Sequence, residues 1–73
     1  MQNPIEPLKK AMQEDFEFAW AWHCNLAMLA IDAGADRFRA NRKAAEFMLS
    51  AFDVDVTQSE RYKDLLNGLT GIS

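Results

Sequence analysis

A chain of 73 residues has room for one domain, and at that length a single hydrophobic core is marginal without a disulfide, a metal or a partner. Cys24 is the only cysteine, so no disulfide closes within one copy, and a lone thiol fits a reducing compartment. Eleven acids against eight bases give a formal charge of −3, which argues against general nucleic-acid binding because Lys and Arg must outnumber the acids to displace counterions.

No run reaches the roughly 18 apolar residues of a bilayer span, and the first residues lack the order of a signal peptide. The expected setting is therefore cytosolic, with no membrane association. Val, Ile and Thr are scarce while Ala, Leu, Met, Glu and Lys abound, which favours helix over strand. Only Asp53-Val54-Asp55-Val56 alternates like a strand, and it has nothing to pair with.

Residues 1–6 read as a lead-in containing Pro4, and the first helix is expected over 7–33, with Pro7 in its first turn. Leu8, Met12, Phe16, Ala19, His23, Ala27 and Ala30 follow at spacings of three and four. Gly34 is the natural left-handed stop. Unbroken, this helix is about 40 Å long at 1.5 Å per residue. A break at 13–15, with Asp15 as a second N-cap, is the alternative. Asp36 caps a second helix over 36–51, placing Phe38, Ala45, Met48, Leu49 and Phe52 on one side and Arg39, Arg42, Lys43, Glu46 and Ser50 on the other. The short link makes the first two helices an antiparallel hairpin. Thr57-Gln58-Ser59-Glu60 fits a capping box for a third helix over 58–67, with Gly68 as its end and Ile72 packing the tail. The expected class is all-α, an oligomeric helical bundle.

Oligomerisation is expected from the first helix. At 100° per residue, its apolar side chains, including Phe16, Phe18, Trp20, Trp22, Leu26 and Leu29, fill an arc of about 240°, far wider than the stripe of about 100° that one buried face needs. Two short helices cannot cover that arc, and each large apolar side chain left in water forgoes roughly 1.5–3 kcal/mol. Phe18, Trp20, Trp22, His23, Leu26, Leu29 and Asn41 are the expected interface residues. A monomer whose third helix and N-terminal segment cover the second flank is the competing arrangement.

His23 falls near the centre of the apolar arc, where a satisfied core or interface imidazole outweighs a ligand, base or pH-sensitive contact. Its neighbour Cys24 points about 100° away, so the two do not form a nucleophile–base pair. No zinc spacing, phosphate loop or Ser/His/Asp set occurs, so no catalytic residue, metal or cofactor is assigned. Asn41 is the polar exception on the apolar side of the second helix, a device that fixes register or oligomer state. Counting through the hairpin sets Asn41 near Leu29 and His23 near Phe47, so a direct His23–Asn41 contact within one copy is not expected. Arg37, Arg39, Arg42 and Lys43 place four bases in seven residues at a helix start, a candidate for a phosphate, a nucleotide or an acidic protein surface. A solvated face balanced by Asp36 and Glu46 is the plainer reading.

Phe18-Ala19-Trp20-Ala21-Trp22-His23-Cys24-Asn25, Ala40-Asn41-Arg42-Lys43-Ala44-Ala45-Glu46-Phe47-Met48 and Phe52-Asp53-Val54-Asp55 resemble stretches in a group of short proteins of tailed bacteriophages. The likeness covers about residues 16–56, as bounded by these elements. The resemblance implies a phage origin and expression in the bacterial host cytoplasm, and it carries over no catalytic residue. The expected function is a non-enzymatic phage accessory protein, a helical homo-oligomer that binds and modulates a host protein such as a defence component. The alternatives are a sponge for a small anionic ligand such as a signalling nucleotide, and a minor structural or assembly subunit of the phage.

Overall fold

The computed structural model describes residues 5–70, and these form four α-helices and a 3-10 turn with no strand among them. The expected first helix is two. Helix α1 spans Ile5–Glu14 and α2 spans Phe16–Asp32. Asp15 between them adopts an extended backbone, φ −136° and ψ 102°, and its carboxylate accepts from the N–H groups of Glu17 and Phe18. Those amides would otherwise lack acceptors, so the cap stabilises the new start where it breaks the old helix. The bend carries α1 onto the rest of the chain and buries Met12, which a straight rod would have left in water. Pro7 falls in the first turn of α1, where a missing N–H costs nothing. The lead-in residues 1–4 and Ile72 lie outside the described residues.

Helix α3 spans Arg37–Phe52 and begins as expected, with the Asp36 carboxylate accepting from Arg39 N–H at 2.9 Å. The link from α2 turns at Gly34, whose φ of 107° suits glycine. At the other end Asp53 takes the left-handed conformation, φ 56°, which Asp tolerates better than most residues. The chain then folds back so that Val54 N–H reaches the Met48 carbonyl at 3.3 Å.

The expected capping box does not form. Thr57 sits inside the 3-10 turn Val56–Gln58, and its hydroxyl donates to Asp55, which caps that turn. Ser59 is the cap of α4, Glu60–Leu69, accepting from Tyr62 N–H at 3.2 Å. Gly68 lies within α4 rather than ending it.

Helix α3 returns alongside α2, and the two make the most extensive contact in the molecule. Small residues make it close: Ala19 and Ala27 on α2, Ala40, Ala44 and Ala45 on α3, all buried. One core cluster joins Met12, Ala19, Met48 and Phe52 with Trp22 and Leu26. A second joins Ala45, Val56 and Tyr62 with Trp20 and Leu66. The short axis is only 16 Å.

Candidate functional site

The polar centre of the slab is His23. It faces α3 between Ala19 and Ala27, and the small side chains opposite leave room for its ring. The imidazole is 0% exposed, with Nε2 2.9 Å from Oδ1 of Asn41. Asn41 Nδ2 donates to the Arg37 carbonyl one turn earlier, at 2.8 Å. That bond points Oδ1 at the imidazole, so Nε2 carries the ring proton and donates it, and Nδ1 is the bare nitrogen. Trp20 stacks on the ring at 4.7 Å between centroids and Tyr62 meets it edge-on at 5.8 Å. Among the described residues Nδ1 has no hydrogen-bond partner.

The expectation that His23 and Asn41 stay apart within one copy is therefore wrong. Counting residues through the loop locates positions along the axis but ignores which way each side chain points. Phe47, the counted neighbour, turns outward and is 49% exposed, whereas Asn41 lies on the buried face. Burial holds the His23 pKa below its ordinary value, partly opposed by the bond to Asn41. Burial also raises the Cys24 thiol, so Cys24 is no ready nucleophile. Among the described residues no three His, Cys, Asp or Glu side chains gather into a metal-binding group.

The remaining interface candidates divide. Trp20, Trp22 and Leu26 are half-buried within the copy. Leu29, at 66% exposed, and Phe18, at 37%, stand in solvent with Phe47. Phe47 and Trp22 each meet Phe52 edge-on at 5.9 Å, so an aromatic row runs from α2 to α3 along one flank. The opposite flank is closed by the 3-10 turn and α4.

The four bases also divide. Arg39, Arg42 and Lys43 line an open groove of about 500 Å³ on the outer face of α3, with Asp36, Phe38 and Glu46. The Arg42 guanidinium lies 5.8 Å from the Phe38 ring centroid. Arg37 is not part of that lining. Among the described residues none of the four forms an ion pair. The helix start itself contributes less than expected, since the Asp36 carboxylate already occupies the Arg39 N–H.

Two contacts had no sequence signal. Gln13 Nε2 donates to the Phe52 and Asp53 carbonyls, both at 3.4 Å, fastening α1 to the end of α3. Arg61 forms a two-pronged pair with Glu17, tying α4 to α2, and lies over the Phe16 ring at 5.6 Å. Both are surface pairings 39 to 44 residues apart, which neither periodicity nor spacing reveals. Among the described residues no helix is long and apolar enough to cross a membrane. No protein-family model, no curated protein and no solved structure matches the chain.

Proposed function

We propose that this chain is a non-enzymatic accessory protein of a tailed bacteriophage that acts by binding: a homo-oligomer of α2–α3 helical hairpins engaging a host protein in the bacterial cytoplasm, with defence components among its targets. One observation carries the binding role. Arg39, Arg42 and Lys43 line one groove together with Phe38, Asp36 and Glu46, and among the described residues none of the three bases forms an ion pair there. Unpaired guanidinium groups retain their donors for carboxylates or phosphates on a partner. The phage setting is supported by the Trp-His-Cys-Asn resemblance.

The test is affinity capture from host lysate with the wild-type chain and with Arg39→Glu/Arg42→Glu. The expected result is one stoichiometric host partner lost in the variant while circular dichroism stays unchanged. Equal capture by both would leave the groove as solvated surface. A second reading, sequestration of a small anionic ligand, is favoured by Phe38 beside Arg42, since an aromatic face and a guanidinium suit a base and its phosphate. Calorimetric titration with a panel of nucleotides separates the two: defined stoichiometry supports the sponge, and silence supports the protein partner.

A further inference from the structure

The junction between α1 and α2 is a single residue. The helical ladder runs up to Asp15, whose N–H donates to the Ala11 carbonyl at 3.0 Å, and restarts from it, the Asp15 carbonyl accepting from Ala19 N–H at 3.1 Å. Leu8, Met12, Phe16, Ala19 and His23 keep helical spacing straight through the junction. No Gly or Pro lies between Leu8 and Ala33. Every local feature except Asp15 therefore favours one helix over 5–32. With helical angles at residue 15, the N–H groups of Phe16, Glu17 and Phe18 would donate to the carbonyls of Met12, Gln13 and Glu14. In the bend the Asp15 carboxylate serves Glu17 and Phe18 instead.

The hold of α1 on the rest of the molecule is slender. Met12 is its one buried side chain, packed with Ala19, Met48 and Phe52, and the half-buried Leu8 joins that cluster. Gln13 adds its two bonds to the Phe52 and Asp53 carbonyls. We infer that α1 is a hinged arm and that Asp15 is its latch. With the carboxylate capping α2, the arm lies against Met48 and Phe52. Without it, residue 15 turns helical, α1 runs on along the axis of α2 past the end of α3, and Met12 leaves its cluster. One terminal residue absorbing the whole change in φ and ψ is the usual anatomy of a hinge. The arm is the only described element that approaches the flank of Trp22 and Phe52, so the latch decides whether that flank is covered.

Nuclear magnetic resonance of the full chain tests this. In the wild type the Cα shift of residue 15 should be extended, with Overhauser contacts from the Met12 methyl to Met48 and Phe52. In Asp15→Ala the Cα shifts should be helical without interruption over 5–32, the Phe16 to Phe18 amides should gain exchange protection, and the Met12 contacts should be lost. Asp15→Asn, whose side chain also caps, should keep the wild-type pattern. Asp15→Ala/Phe16→Pro should return the bend without any cap, because proline suits the first position of a helix and disfavours helical angles in the residue before it. An extended residue 15 in Asp15→Ala would overturn the latch, as would Asp15→Asn behaving like Asp15→Ala or a straight helix in the proline variant. Met12 contacts that survive in a straight Asp15→Ala chain, or coil shifts over 5–14, would overturn the arm.

Discussion

The two indoles of α2 are two residues apart and occupy opposite flanks. Trp20 stacks on His23 and packs against Ala45, Val56 and Tyr62, where the 3-10 turn and α4 close the structure. Trp22 lies edge-on to Phe52 beside Met12, Ala19 and Met48, on the flank where only α1 approaches. Each is half-buried, and among the described residues the 3-10 turn and α4 pack against one while only α1 approaches the other. A helix apolar on nearly all sides therefore meets two surroundings within one copy: α4 and the 3-10 turn on one flank, α1 on the other.

Replacement of Trp20 by Ala should break the closed flank, costing about 3 kcal/mol of unfolding free energy because the cavity removes the stacking surface of a buried ring. A urea midpoint barely altered would mean that the two flanks do not differ in energy. Asn41→Ala should cost about 2 kcal/mol, since the buried Nε2–H of His23 would lose its acceptor. Thermal melting reads this, and a neutral result would mean that the bond stabilises nothing.

Acid sharpens the same contrast. The folded chain keeps His23 below its ordinary value of 6.5, so below that pH the unfolded chain binds the proton that the folded chain refuses. Stability is then full above pH 6.5 and declines as pH falls towards the folded value, by at most about 1.4 kcal/mol per unit. In His23→Leu this slope should vanish between pH 6.5 and the onset of carboxylate titration. The smallest effect belongs to the open flank. Leu29→Ser should change the stability of a single copy by less than about 0.5 kcal/mol, measured at dilutions that favour the single copy. A larger loss would show that Leu29 packs within its own chain.

The all-helical class and the cap at Asp36 were legible because both are written in neighbouring residues: a periodicity, and a carboxylate three positions before an orphan N–H. Asp15 was legible only as an alternative. Its carboxylate competes with a continuous apolar pattern, and the outcome depends on Met12 finding a pocket far along the chain. Thr57 misled for a local reason: Asp55 and Ser59 both offered better geometry. The His23–Asn41 bond was missed because the direction of a side chain around its helix, and not the count through the loop, decides which residues meet. The basic residues were legible as a cluster, but only the folded chain separates Arg37 from the groove of Arg39, Arg42 and Lys43.

The proton arrangement at the centre has a practical corollary. His23 is the chain's only histidine, its ring lies beneath an indole, and the Asn41 amide dictates which nitrogen bears hydrogen. A lone imidazole gives a single set of carbon-bound proton resonances, here shifted by the ring current of Trp20. The molecule thus contains a label-free nuclear magnetic resonance probe at its middle. Any breathing that admits water would register there before a change in overall helicity could be seen.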